Sequence, residues 1–271
     1  MAAGSPARVD VTLATELLPE PATFSVFLPP GYDRDPSRRY PVLYFLHDAR
    51  GDRSVLFREG AAASLAREME AGTLPPFLIV SPDGDGGWFS NSRDGRHRYE
   101  DLIRTAIPAE VEKRFRVLPG PGNRGITGIS MGGYGAVKIA LHHPDFYGSV
   151  SSLSGAVIPM SWEAVERVFF LARRQLHRVF GSSPTENSLA ENDVWLLVER
   201  HDRPKIPFEV FLLGGSEDKY GLGRVALQYA EHLNRNGVRA EGRMEPGTHD
   251  WRYWRVSFLE ICRWHAARFS G

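Results

Sequence analysis

Cysteine is nearly absent from this sequence. The single one, Cys262, can close no internal disulfide and has no cysteine neighbour with which to share a metal ion. It lies in a helix-like stretch late in the chain and reads as a small, buried structural residue. A chain without disulfides suits a reducing compartment, so the cytoplasm is the expected location. Long apolar runs are missing too. None reaches the 18 or so residues of a membrane span. Residues 1–6 hold no basic stretch leading into an apolar core, so no secretory signal is read there. Neither sign of charge is in surplus: Lys+Arg and Asp+Glu both number 33. Nucleic acid is gripped through its phosphates by surplus Lys and Arg, so it is not an expected partner. No repeat, low-complexity tract or clear linker interrupts the chain.

What is present suffices for one folded unit. A chain of 271 residues, 42% of them hydrophobic, can bury a large core without covalent staples. From about residue 40, short apolar runs alternate with helix-like segments. Residues 42–46, 77–80, 125–129, 150–153, 208–213 and 240–244 read as buried strands of a mostly parallel sheet. Residues 61–70, 99–115, 132–142, 222–236 and 251–269 read as helices, the second interrupted near Pro108 and the fourth stopped by Gly237. Residues 9–14 and 24–28 read as an antiparallel pair at the sheet edge. The expected fold class is therefore α/β, with helices on both faces of the sheet, over a single domain spanning 1–271. Residues 157–205 form an insertion longer than one crossover helix needs. It is either a helical cap over the site or a set of extra packing helices.

One motif carries the chemistry. Gly128-Ile129-Ser130-Met131-Gly132-Gly133 contains G-x-S-x-G, a core short enough to arise by chance in roughly one chain in ten of this length. Its setting makes it specific: it follows a strand-like run and opens a helix-like one, as a nucleophile elbow requires. Such a turn is tight, so the flanking positions must be glycine. A serine alcohol is a poor nucleophile until a base takes its proton, and in this kind of fold the acid and then the histidine follow the serine in the chain. Gly214-Gly215-Ser216-Glu217-Asp218 ends the fifth apolar run, and Glu217 and Asp218 both qualify as the acid. Glu245-Pro246-Gly247-Thr248-His249-Asp250-Trp251 lies between the last strand and the last helix, where a loop can return His249 over the elbow. The remaining histidines lie in helical or polar surroundings, and His47 precedes the acid. The oxyanion donors expected are the backbone N–H of Met131 and one from His47-Asp48-Ala49-Arg50-Gly51, with Ala49 preferred over Asp48.

Asp83-Gly84-Asp85-Gly86-Gly87 has the look of a calcium loop but lacks the third oxygen ligand and distal Glu, so no metal is expected. Arg96-His97-Arg98 reads as a solvated helix start. Trp88, Phe89, Trp162, Tyr220 and Trp251 are candidates to line a substrate pocket.

Taken in order, these motifs resemble the esterase D-like family of α/β-hydrolases, which includes S-formylglutathione hydrolases, feruloyl and acetyl-xylan esterases, enterochelin-type esterases and mycolyltransferases. The resemblance spans roughly residues 22–265. It rests on Phe27-Leu28-Pro29-Pro30-Gly31-Tyr32, Tyr40-Pro41-Val42-Leu43-Tyr44-Phe45-Leu46-His47, Ser81-Pro82-Asp83-Gly84, Tyr99-Glu100-Asp101-Leu102-Ile103 with Ile107-Pro108, the serine motif through Tyr134-Gly135-Ala136, Gly215-Ser216-Glu217-Asp218 and Gly247-Thr248-His249-Asp250-Trp251. It implies an α/β-hydrolase fold, Ser130 as nucleophile, Asp218 rather than Glu217 as acid, His249 as base, and oxyanion donors at Met131 and near Ala49. It also implies a serine esterase that uses no cofactor and acts on a small-molecule ester through an acyl-enzyme. Acyl transfer to another acceptor is the alternative, and a non-catalytic binding module the third reading. The chain departs from the family at His47-Asp48, where many members carry His-Gly, and at Thr248, where Gly is usual. It also lacks the cysteine-containing loop of the S-formylglutathione hydrolases, which argues against that activity.

Overall fold

The computed structural model describes residues 7–161, 173–180, 189–200 and 205–270. Eight strands form one sheet: β1 (Ala7–Leu13), β2 (Ala22–Leu28), β3 (Val42–Leu46), β4 (Leu78–Pro82), β5 (Arg124–Gly128), β6 (Ser149–Leu153), β7 (Glu209–Gly215) and β8 (Ala240–Glu245). They lie side by side in the order β1-β2-β4-β3-β5-β6-β7-β8. The pairs β1·β2 and β2·β4 are antiparallel, and every pair from β4 to β8 is parallel. The fold class read from the sequence is thus observed, including the antiparallel edge.

Strand β3 shows why these residues make a central strand. Alternate side chains point to opposite faces of a pleated sheet. Val42, Tyr44 and Leu46 enter the core on one face, and Leu43 and Phe45 enter the core on the other. A strand buried on both faces needs an unbroken apolar run, and this one has it.

Helices cover both faces. On one side lie α1 (Val55–Arg58), α2 (Ala61–Glu70) and the C-terminal helix, here α9 (Trp251–Ala266). On the other lie α3 (Tyr99–Asp101), α4 (Ile107–Arg114), α5 (Met131–His142) and α8 (Leu222–Arg235). The interruption expected near Pro108 is a widened π-turn, Leu102–Ala106, that joins α3 to α4 without a break. Pro108 has no N–H to give to the turn before it, and the wider turn absorbs the missing bond. Cys262 is fully buried on α9, as its place in the sequence suggested.

Of the 157–205 insertion, α6 (Arg173–Phe180) and α7 (Val194–Glu199) are described. Leu176, Val179, Phe180, Val194 and Val198 join the core on the α5 side. Trp162, a pocket candidate, lies outside the described residues.

Candidate active site

Strand β5 ends at Gly128, and two residues later the chain enters α5. Ser130 stands between them at φ 54° and ψ −112°, a backbone conformation that a side-chain-bearing residue adopts only under strain. The surroundings impose it. The N–H of Ile129 donates to the Leu46 carbonyl, that of Ser130 to Leu153 and that of Gly132 to Ile129, at 3.0, 3.0 and 2.8 Å. A Cβ on Gly128 would collide with the Gly132 backbone, and one on Gly132 with the Leu46 carbonyl. Both positions are thus required to be glycine by contact. Met131 is the first residue of α5, so its N–H has no partner within the helix and stands at the positive end of the helix dipole.

Two later loops bring His249 and Asp218 to Ser130. His249 lies in the loop between β8 and α9, and Asp218 in the loop after β7. Those loops are stitched together: Ser216 N–H donates to the Glu245 carbonyl at 2.7 Å and Glu217 N–H to Gly247 at 2.9 Å. The Ser130 Oγ lies 3.0 Å from His249 Nε2, and His249 Nδ1 lies 2.6 Å from Asp218 Oδ2. A carboxylate can only accept, so Nδ1 carries the proton and Nε2 is left to take one from the serine. The Asp218 side chain is 0% exposed, while Glu217 faces solvent, so burial separates the two carboxylates that the residue types alone left equal. The second Asp218 oxygen accepts the Tyr220 N–H at 2.8 Å. The His249 ring is met edge-on by Tyr220 and by Trp254, with centroids 4.9 and 4.8 Å away.

Trp254 was not visible as a site residue in the sequence. It stands one turn into α9, and its indole N–H donates to Ser154 Oγ at 3.1 Å. Ser154, at the end of β6, is itself held at φ 47°.

The loop after β3 borders the start of α5, since the His47 carbonyl also crowds Gly132. Here His47 is buried, and burial pushes its imidazole below the usual histidine range, so it is neutral. Its Nε2 accepts the Gly84 N–H at 3.0 Å, which leaves Nδ1–H to donate to the Asp48 carbonyl at 2.7 Å. Asp48 spends its carboxylate on the Arg50 N–H and the Trp251 indole, at 3.0 and 3.2 Å. Ala49 is exposed at the tip of this turn.

Among the aromatic candidates, Tyr220 is exposed and Trp251 half-buried beside this loop. Trp88 and Phe89 require correction. They are 3% and 0% exposed, so neither ring offers surface to a ligand. Phe89 packs instead against His47, with centroids 5.2 Å apart, and Trp88 against Tyr134 at 5.7 Å. Their loop is strained, with Asp85, Trp88 and Phe89 at φ 41°, 54° and 51°. Each such residue costs about 1–2 kcal/mol, so other contacts must hold the loop.

In the calcium-like stretch, Asp83 is engaged by groups of the protein. Asp83 bonds the Arg53 guanidinium at 2.8 Å and the Thr23 hydroxyl at 2.5 Å. Among the described residues no group of three or more His, Cys, Asp or Glu is placed to hold a metal. Arg98 pairs with Asp101 at 2.7 Å, in keeping with a solvated helix start. A cavity of about 480 Å³ opens on the other side of His47, between Pro19, Pro21, Asp83, Asp85 and Tyr99. Among the described residues no helix is long and apolar enough to cross a membrane.

Comparison with known proteins bears on the family and the fold. Residues 15–265 match the family described as putative esterase. Esterase Rv1288 of Mycobacterium tuberculosis is 36% identical over 135 residues, 48% of this chain and 28% of the relative. An uncharacterized protein of Corynebacterium glutamicum, Cgl0967/cg1104, is 26% identical over 254 residues, 89% of this chain and 56% of that one. The chain thus spans between about a quarter and just over half of the length of these relatives. Among solved structures, a ferulic acid esterase superposes with a TM-score of 0.81 at 24% identity, covering 98% of this chain and 99% of its own. The fluorophosphonate-binding serine hydrolase FphF of Staphylococcus aureus gives 0.80 at 20%, covering 97% and 99%. An S-formylglutathione hydrolase from Agrobacterium tumefaciens gives 0.77 at 20%, covering 98% and 96%. At these identities the superpositions speak for the fold, and the match over residues 15–265 speaks for descent: this chain belongs to the putative esterase family of α/β-hydrolases.

Proposed function

We propose that this protein hydrolyses carboxylic esters through an acyl-enzyme on Ser130. The observation that carries the reading is the unbroken relay from Ser130 Oγ through His249 to the buried Asp218, with spacings of 3.0 and 2.6 Å. His249 Nε2 takes the serine proton as the hydroxyl attacks the ester carbonyl. Asp218 keeps the ring in the correct tautomer and stabilises the imidazolium that forms. The N–H groups of Met131 and Ala49 receive the charge that develops on the carbonyl oxygen. His249 returns the proton to the leaving alcohol, then activates a water to release the acid. Tyr220, edge-on to His249, and Trp251, bonded to Asp48, are the aromatic rings set to meet the substrate. Membership of the esterase family supports the reading, as does the serine-hydrolase character of FphF.

Hydrolysis of p-nitrophenyl esters of graded acyl length, wild type beside Ser130→Ala, tests it. The variant is expected to lose on the order of 10⁴ or more in kcat. Near-normal turnover in Ser130→Ala would overturn the assignment.

A further inference from the structure

Behind the site lies an ion pair that the relay does not use. Lys138, two turns along α5 from Ser130, is 0% exposed, and its Nζ lies 2.9 Å from Glu100 Oε2. Burial alone would raise the Glu100 carboxyl. The Lys138 ammonium and hydrogen bonds from His142 and His143 outweigh it and hold the group well below the carboxylate range. The Glu100 carboxylate is therefore ionised where it meets the Lys138 Nζ. A buried charge pair is weak evidence for stability, since an apolar pair of the same size serves as well, and this points to a task of another kind.

Its contacts show the task. Lys138 Nζ also donates to Ser90 Oγ at 2.5 Å, and Ser90 Oγ donates onward to the Trp88 carbonyl at 3.2 Å. Lys138 thereby grips the end of the loop whose residues Asp85, Trp88 and Phe89 are left-handed. That loop holds His47 from two sides, through the Gly84 N–H on Nε2 and the Phe89 ring against the imidazole. His47 Nδ1–H in turn holds the Asp48 carbonyl, which also accepts the Gly51 N–H at 2.9 Å. The Asp48 carbonyl and the Ala49 N–H belong to one planar trans peptide and point in opposite directions. Fixing the first aims the second.

We infer that Glu100 and Lys138 are positioning residues for the oxyanion pocket, acting through Ser90, the strained 85–89 loop and His47 to aim the Ala49 N–H. This rests on the esterase reading above. A pair serving only packing would affect stability and leave the chemistry alone. A pair that aims an oxyanion donor affects the bound tetrahedral state most and the ground state least.

Two variants separate these roles. Ser90→Ala keeps the ion pair and cuts its tie to the loop. Glu100→Gln with Lys138→Met removes both charges together, so neither is stranded. Each is measured for kcat and KM on a p-nitrophenyl ester, for inhibition by phenylboronic acid, which adds to the serine as a tetrahedral anion, and for thermal unfolding. The expected result is a fall of about tenfold to a hundredfold in kcat, a matching loss of boronate affinity, and KM within about threefold of wild type. Wild-type kcat and boronate affinity in folded Ser90→Ala would overturn the inference, whatever happens to the double variant. Ser130→Ala, run alongside, keeps the two readings apart. Its persistence as an active enzyme would fell the esterase reading itself, whereas an inactive Ser130→Ala beside an unaffected Ser90→Ala would fell only the positioning role.

Discussion

A single backbone angle decides what Ser130 can do. At φ 54° the residue cannot continue the strand and is thrust out where the sheet ends. Gly132 allows this because it has no side chain to meet the Leu46 carbonyl. Gly132→Ala is expected to lower stability by about 3 kcal/mol or more, because the added carbon meets rigid backbone and not a side chain that can turn aside. Urea unfolding of the variant measures the loss. The choice between neighbouring carboxylates belongs to this scale as well. Asp218→Asn places an amide against His249 Nδ1 and favours the wrong tautomer, so kcat should fall by on the order of 10⁴ with the fold intact. Glu217→Gln, altering a side chain that faces solvent, should leave kcat within about twofold. Equal losses in the two would contradict the geometry at 2.6 Å.

At the scale of elements, strands β3 and β8 and helix α2 were legible within a residue or so, because buried strands and amphipathic helices write their periods directly into the chain. The π-turn before Pro108 was not legible, since a helical stripe and a proline do not say whether the helix breaks or widens. Helix α7 shows what holds the described part of the insertion. Asp193 caps it, accepting the Trp195 and Leu196 N–H groups, while its other oxygen accepts the buried Met160 N–H at 2.8 Å. Asp193→Ala removes a cap and leaves a buried donor without its partner. The expected cost is about 2 kcal/mol, read as a lower thermal midpoint. Asp193→Asn, which keeps acceptor oxygen for one side, should recover part of it.

Across the whole molecule, pH sensitivity has a buried source far from the relay. His265 on α9 is 0% exposed, wedged between Ser149 and Ser151 of β6 at 2.7 and 2.8 Å. Burial, with Arg268 nearby, pushes its imidazole down to about 3. An unfolded chain binds the proton near pH 6.5. Between those values the unfolded state holds a proton that the folded state refuses, so stability is complete above about pH 6.5 and is lost as the pH falls toward 3. Urea unfolding at pH 7.5 and pH 5.0 should differ by about 2 kcal/mol from this group alone, and His265→Asn should remove that share of the difference. The same pH dependence in wild type and variant would show that the ring charges freely inside the fold.

The order of strands and helices along the chain, the tight turn at Ser130 and the choice of Ser130 and His249 as candidates were determined by the sequence, because each rests on local pattern: hydrophobic period, glycine at a tight turn, chain order. Burial was decided only in three dimensions. It separates Asp218 from Glu217, which the residue types left equal and which a family resemblance alone had parted. It moves Trp88 and Phe89 from the pocket into the loop's support. It sets Trp254 against His249, and joins Glu100 to Lys138 across 38 residues of chain. Those placements depend on which helix packs over which strand, and a neighbour supplied by a remote segment leaves no mark on the local sequence it touches.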